Sequence, residues 1–530
     1  MELRKITIGQ LLKERVRLTP DAACIGDSHK SCSWKETADS AEKLALLYLQ
    51  LGLKKGDHAA VWGVNSTDWV ITYLALARLG VISVLVNISL TISELEVLVR
   101  ENDIKYIIYS DGKNGSLFPL LQKMERDKTP CLKQIISMTE MVHKAETADA
   151  KDRGMLRRAE ETLSCDDVIS ILFTSGTSGR AKGVMLTHYN LVNNAAGMVE
   201  RMHWSGSDVM CTAVPLFHCF GVTVGILGAI CSGASLRLLP CFSSTEALEV
   251  IEKYRCTVFN GVPTFYLALI HNKHFSQYDI SSLQSGLMAG SPIIPSEYYR
   301  IYEKTKIPHL QTAFGQTESS PAVTISRWDD PIETKAGTSG TLMEHVEVRI
   351  WRKEENRAAS AGEEGEIQTR GYLVMKGYYR KDEETAQVID EDGWLHTQDW
   401  GYLDEGGYLH VTGRIKDIIL RGGENIAPAE IENVIVQMPE VKEVKVVGIK
   451  AQVLQEEVAA CVIWENDRQC SLEQVQDYVR KYLADFKVPA YLYTFEEFPV
   501  NASGKVVMEQ LKSAISEREK KVVKADGKLE

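Results

Sequence analysis

The chain has 530 residues, 44% hydrophobic and 25% charged; that length suits two or three domains and the composition excludes wholesale disorder. The net charge of −12 argues against a non-specific nucleic-acid or anionic-membrane binder, which would be basic, so an anionic ligand would need its positive charge supplied locally. The eleven cysteines show no C-x-x-C pair or zinc-type spacing, and their odd number suits a reducing compartment. Met1 to Gln10 lacks the apolar stretch and cleavage site of a signal peptide. The longest apolar region, Val222–Ile230, is about half a membrane span. The expectation is a soluble cytoplasmic enzyme with no transmembrane segment and no nucleic-acid partner.

In chain order, Ala41–Leu53 predicts a helix, His58–Val64 a strand, Asp68–Leu79 a helix and Ile82–Val86 a strand. Asp127–Glu161 is polar, mixed in charge and poor in aromatics, and reads as a surface excursion rather than a domain boundary. Alternation resumes with a strand at Val168–Phe173, a helix from Asn190, a strand at Leu236–Leu239 and a helix from Thr245. Such alternation implies layered α/β architecture with largely parallel sheets. From Thr338 to Val411 short strands and many glycines predict a small β-rich subdomain. Gly422-Gly423 then leads into a helix at Pro428–Gln437, strands at Val444–Ile449 and Ala459–Trp464, and a helix at Leu472–Tyr482. Arg421 reads as a surface charge, and the charged residues from about Ser516 as a frayed tail. The fold class expected is therefore α/β. A large N-terminal domain of layered α/β subdomains spans 1–414, with the β-rich subdomain at about 338–411. A hinge at 415–416, a small mobile α+β C-terminal lid domain at 417–516 and a tail at 517–530 follow.

The most informative segment runs from Ile171 to Val184. An apolar strand enters Thr174, Ser175, Gly176, Thr177, Ser178 and Gly179, followed by Lys182-Gly183. Glycines let backbone amides approach a ligand, hydroxyls add donors and a lysine adds charge, as cradling a polyphosphate requires. The spacing is not that of a Walker A loop, and a flexible surface hairpin is the alternative reading of the segment taken alone.

The order Thr-Ser-Gly-Thr-Ser-Gly-x-x-Lys-Gly resembles the phosphate loop of the adenylate-forming family, which includes acyl-CoA synthetases, peptide-synthetase adenylation domains and beetle luciferases. Further similar motifs follow in the family's order: Phe314-Gly-Gln-Thr-Glu318, Gly365-Glu-Ile, Gly377-Tyr-Tyr, Trp394 to Gly401, Gly413 to Ile418, Gly422 to Pro428, and Asn501-Ala-Ser-Gly-Lys505. The resemblance covers about residues 30 to 511.

It implies the following roles. Glu318 holds Mg²⁺, a hard cation that favours oxygen ligands, and Thr317 adds a hydroxyl to the α-phosphate, beside Phe314 and Gly315 of the same motif. Asp399 accepts the ribose hydroxyls, Arg414 contacts ribose and phosphate, and Lys416 falls at the interdomain hinge. Gly290 and Ser291 line the end of the pocket nearest the nucleotide. Lys505 reaches in during adenylation to neutralise the α-phosphate and the attacking carboxylate. After the C-terminal lobe swings, the Gly422-Gly423 face approaches a pantetheine tunnel. Taken singly, Glu318 would be a solvated loop acid, Asp399 a turn residue and Lys505 a solvated lysine. The implied reaction converts a carboxylic acid and ATP to an acyl-adenylate and pyrophosphate, then passes the acyl group to a thiol.

Pro215 to Gly228 contains no acid, so an amino-acid substrate would lack a partner for its ammonium in an apolar pocket. His218, in Phe-His-x-x-Gly, resembles the family's pocket-gating residue; a satisfied core histidine is the alternative reading. The motifs look closest to medium-chain fatty acyl-CoA synthetases, and the candidate pocket wall of Phe220, Val222, Val262, Gly286, Leu287 and Met288 is apolar. An aryl-acid CoA ligase would use an equally apolar slot. Two departures fall in the C-terminal lobe: Lys450 to Glu457 lacks the family's usual Pro-Asp pair and later Gly-Glu, and Leu420 stands where a lysine is frequent. The adenylation half is thus better supported than the CoA half. A stand-alone enzyme loading a carrier-protein phosphopantetheine, and a non-catalytic nucleotide sensor, remain alternatives.

Overall fold

The computed structural model describes residues 1–112, 115–147, 153–175, 181–415, 417–421, 424–451, 455–465, 468–483, 485–500 and 506–526. Two large, mostly parallel sheets dominate. The seven-stranded sheet runs in the order Gly377–Tyr378, Ala181–Thr187, Val168–Ser175, Ile82–Leu85, His58–Trp62, Ile104–Tyr109, Gln134–Ser137. His58–Trp62 is buried at every position and pairs in parallel on both sides, as expected of a strand covered on both faces. The nine-stranded sheet has Ser285–Met288 and His309–Gly315 as parallel neighbours on one side of its centre. A third, five-stranded antiparallel sheet (Arg357–Ala358, Val346–Arg352, Gly365–Gly371, Leu395–Leu403, Leu409–Arg414) is the β-rich region expected from the glycines.

Helices follow their caps. Ser66 accepts from the Trp69 N–H, and Thr67–Leu79 then runs to Gly80, whose φ of +67° closes it. Trp34–Gln50 begins seven residues before the expected Ala41, because Ser33 and Glu36 form a reciprocal cap that the apolar periodicity does not display. The expectation for Asp127–Glu161 needs correction: it is not a surface excursion. Gln134–Ser137 is the edge strand of the seven-stranded sheet, and Met138, Met141, Val142 and Ala145 bury one face of the helix Met138–Thr147. Those positions follow the i, i+3, i+4, i+7 rule inside a polar composition.

After Arg414 a small α+β domain carries its own sheet, with Ile419–Arg421 beside Gln455–Trp464, which pairs Val441–Ala451 and, in parallel, Tyr491–Thr494. Its core gathers Ile419, Ile431, Ile435, Val446, Val458 and Val475, with Ile294 of the large domain packed against it. Arg421 is not a free surface charge: its Nε lies 2.6 Å from Glu457 and its Nη1 donates to the Phe486 carbonyl at 3.1 Å. Of the segment expected to fray from Ser516, the residues up to Asp526 continue the helix Met508–Asp526, anchored by buried Leu511 and Ile515, and residues 527–530 lie outside the described residues. Among the described residues no helix is long and apolar enough to cross a membrane.

Candidate active site

The strands Val168–Ser175 and Ala181–Thr187 pair antiparallel and set Lys182 opposite Thr174. The outer edge of Ala181–Thr187 pairs with Gly377–Tyr378, with Tyr378 opposite Val184. Hydrogen bonds from the Lys376 N–H to the Met185 carbonyl (3.0 Å) and from the Tyr379 N–H to the Gly183 carbonyl (2.8 Å) extend that pairing. The Lys182 ammonium stands 4.8 Å from the centre of the Tyr378 ring, a cation–π distance.

Glu318 arrives from the other large sheet. The strand His309–Gly315 ends at Gly315, where a side chain is impossible: a Cβ would lie 1.7 Å from the Pro321 carbonyl oxygen. Gln316 and Ser319 cap each other around the short 3₁₀ turn Thr317–Ser319. Glu318 is 8% exposed. Its Oε1 accepts from Tyr378 O–H at 3.0 Å and from Thr174 Oγ1 at 3.2 Å. Burial, with the Glu318 charge beside it, pushes the Tyr378 phenol far above its ordinary range, so it stays a donor. Among the described residues Glu318 forms no ion pair. A nearly buried carboxylate offering only oxygen, with no basic partner, suits a hard cation such as Mg²⁺.

Thr317, also buried, connects to His218 through Cys219, a cysteine of an apolar run that is buried as such a residue is expected to be. Cys219 Sγ lies 3.5 Å from Thr317 Oγ1 and 3.8 Å from His218 Nδ1, which in turn accepts from the Phe220 N–H at 3.3 Å. Burial pushes the Cys219 thiol up to about 12, aided by the Glu318 charge and opposed by the Thr317 hydroxyl. It is therefore a packing thiol, not a nucleophile. Thr174, Lys182, His218, Thr317 and Glu318 thus form one connected group, together with Cys219 and Tyr378. Only the apolar run around Cys219 and the Gly-Tyr-Tyr motif hinted at the last two.

Phe220 and Val222 lie buried in the π-helical segment Phe220–Leu227, a geometry common at functional sites. Gly290, with φ +88°, turns the chain beside Val262, whose Cγ1 a Cβ at Gly290 would meet at 3.2 Å. Leu287 and Met288 are buried on the strand, Phe314 is nearly buried and Ser291 half-buried. Gly286 is held by packing: a Cβ there would lie 2.3 Å from the Phe259 carbonyl oxygen and 2.5 Å from the Tyr266 hydroxyl.

Asp399 and Arg414 are directly opposite on the neighbouring strands Leu395–Leu403 and Leu409–Arg414. Arg414 Nε lies 3.0 Å from Asp399 Oδ1, with the Asp399 side chain 7% and the Arg414 side chain 42% exposed. Gln398, at φ +59°, accepts from the Ile415 N–H at 3.0 Å just before this pair. Gly176, Thr177, Ser178, Gly179, Lys416, Gly422, Gly423 and Lys505 lie outside the described residues, and Ser175 is described only in its backbone.

The sequence pattern of the AMP-binding enzyme family matches residues 12–379, and that of the AMP-binding enzyme C-terminal domain matches residues 430–505. YngI of Bacillus subtilis, named as a candidate acyl-CoA synthetase, is 36% identical over 96% of this chain and 97% of its own. The human mitochondrial medium-chain acyl-CoA ligase ACSF2 is 33% identical over 95% of this chain and 86% of its own. The o-succinylbenzoate coenzyme A synthetase MenE of Bacillus subtilis, solved with ATP and magnesium ion, superposes with a TM-score of 0.81 at 25% identity, covering 96% of this chain and 100% of that one. With both family patterns matched and relatives more than 30% identical over most of the chain, the chain belongs to the AMP-binding, adenylate-forming enzyme family.

Proposed function

We propose that this AMP-forming acid–CoA ligase takes a medium-chain fatty acid. The observation that carries the chemistry is the nearly buried Glu318, held by Thr174 and Tyr378 beside Lys182. Two things support the acid: the medium-chain ligase name carried by ACSF2, and the apolar Phe220, Val222, Val262 and Leu287 with no carboxylate between Pro215 and Gly228.

In this reading Thr174 to Gly179 and Lys182 bind the ATP phosphates, and Thr317 donates to the α-phosphate. Gly290, Ser291, Phe314 and Gly315 wall the nucleotide, Asp399 accepts the ribose hydroxyls, and Arg414 steadies Asp399. A bound Mg²⁺ would supply positive charge to the phosphates as a Lewis acid, with Glu318 as its protein ligand. The substrate carboxylate attacks the α-phosphorus and the bond to pyrophosphate breaks. Lys505, carried in by the C-terminal domain about Lys416, offsets the growing negative charge. The CoA thiol, approaching past Gly422 and Gly423, then attacks the acyl carbonyl; AMP leaves and the thioester forms. Most of the rate comes from positioning and charge stabilisation, as in phosphoryl transfer generally, with His218 gating the acid pocket. The odd number of cysteines and the absence of a paired spacing in the sequence accord with the reducing cytoplasm we propose for the protein.

The test is incubation with ATP, Mg²⁺ and a panel of straight-chain, aryl and amino acids, with and without CoA, and mass spectrometry of the products. Medium-chain acyl-CoA is expected; aryl-CoA alone would replace the fatty-acid assignment. Acyl-adenylate that persists with CoA present would favour a carrier-protein thiol as acceptor, the reading suggested by the departures between Lys450 and Glu457. Lys505→Ala is expected to lower adenylation by about 10²–10³-fold; undiminished ATP–pyrophosphate exchange would remove Lys505 from the mechanism.

A further inference from the structure

Tyr378 touches both charged groups of the site at once, through different parts of its side chain. The ring face meets the Lys182 ammonium at 4.8 Å. The hydroxyl donates to Glu318 Oε1 at 3.0 Å, and Thr174 donates to that same oxygen at 3.2 Å. Both hydroxyls are thus spent on one carboxylate oxygen, and among the described residues Oε2 has no hydrogen-bond partner.

The backbone around Tyr378 is fixed independently of these contacts. Gly377–Tyr378 pairs with Ala181–Thr187, and the Tyr378 N–H donates to Thr385 Oγ1 at 2.9 Å. The next residue is tied down as well: Tyr379 O–H donates to Asp103 Oδ2 at 2.6 Å, while Arg380 pairs with Asp103 at 2.7 Å. Gly377, at φ +135°, faces the Thr385 side chain, which a Cβ would meet at 2.9 Å. The tyrosine therefore projects from a clamped segment that is remote in sequence from both groups it holds.

We propose that Tyr378 is a positioning residue of the adenylation site. Its hydroxyl, with that of Thr174, turns the Glu318 carboxylate so that Oε2 alone meets the cation, and its ring keeps the Lys182 ammonium apart from that carboxylate. The separation matters because a lysine paired directly with Glu318 would compete with the metal for the same oxygen and would withdraw charge from the phosphates. Neutral spacing by an aromatic face holds the cation without discharging the anion. The inference rests on Glu318 being the metal carboxylate.

The experiment uses the full-length enzyme and measures Mn²⁺ binding by electron paramagnetic resonance in the presence of a non-hydrolysable ATP analogue. Metal-free binding of that analogue is measured alongside by calorimetry. Tyr378→Phe keeps the ring and removes one donor. It is expected to weaken Mn²⁺ binding roughly 10-fold, the equivalent of one hydrogen bond to a charged group at the lower end of its range, and to leave metal-free nucleotide affinity unchanged. Tyr378→Leu removes ring and hydroxyl together and is expected to weaken both. Unchanged Mn²⁺ affinity in Tyr378→Phe, with Glu318→Gln abolishing Mn²⁺ binding, overturns the role of Tyr378 alone. If Glu318→Gln also binds Mn²⁺ normally, the metal assignment falls and this inference with it. Equal losses of metal and metal-free nucleotide binding in Tyr378→Phe would mark a merely structural residue and also overturn the proposal.

Discussion

Asp399 presents a buried carboxylate to a half-exposed arginine, a pairing in which the acid is the fixed partner and the arginine the adjustable one. Asp399→Ala should therefore act on nucleotide binding. Losing charge-assisted hydrogen bonds typically costs about 1.5–3 kcal/mol, so KM for ATP should rise about tenfold or more while KM for the acid stays near its original value. Steady-state kinetics varying each substrate separately would check this; equal rises in both would disconnect Asp399 from the ribose. At this scale the sequence was informative where a motif joins a special backbone to a reactive side chain. Gly315 is required because nothing but hydrogen fits against Pro321, and Glu318 follows three residues later. Cys219 and Tyr378 were less legible because their partners come from distant segments: Thr317 lies 98 residues from Cys219, and Glu318 lies 60 from Tyr378. No local pattern encodes such a meeting.

Single elements carry their own pH behaviour. His188 opens the helix His188–Arg201, is wholly buried, and accepts from the Ile8 N–H at 3.2 Å through Nδ1. Burial pulls its pKa down to about 4, with Lys55 acting in the same direction and Asp167 against it. The folded value is depressed below the ordinary histidine value near 6.5. The unfolded chain therefore binds more protons across about pH 4 to 6.5, and stability falls as pH drops through that window. The effect is of the order of 3 kcal/mol at most. His188→Asn keeps an acceptor for Ile8 and cannot charge, so its denaturation midpoint should decline less with acid than that of the parent. Parallel curves would refute the argument. The elements themselves were legible wherever burial is one-sided or complete, as at His58–Trp62 and Thr67–Leu79. Met138–Thr147 was misread because four small or flexible apolar residues make a buried face inside an otherwise polar stretch, and composition outweighed periodicity in the reading.

At the scale of the whole molecule, the helix Pro295–Thr305 of the large domain meets the C-terminal domain. Glu297 on that helix is pushed up to about 7, first by burial and then by Glu443 and Glu432; Lys445 and Arg300 pull the other way. Lys445 is already bonded to Glu432 at 2.8 Å. A carboxyl whose folded value is raised holds its proton longer in the native state. Stability from this contact is thus present at lower pH and lost as pH rises through about 7. Glu297→Gln should make the thermal midpoint of the enzyme less sensitive to pH between about 4.5 and 7, the interval between the ordinary and the raised value. An unaltered slope would show that Glu297 is already solvated in solution. The two-domain division was legible because the glycines before and after the β-rich region interrupt both apolar periodicities. The contact between the domains was not, since charges that meet across it are ordinary surface charges when each segment is read alone.

The Arg421–Glu457 pair bears on how this enzyme can be recombined with its relatives. Both members are mostly shielded from water, and they stand on neighbouring strands joined by a long excursion of the chain. A crossover placed between them, with a relative that lacks either residue, would import one charge without its counterpart, and a stranded charge of this kind costs far more than the intact pair contributes. Chimeras of this enzyme should therefore be cut before Arg421 or after Glu457, so that the two residues are inherited as a unit.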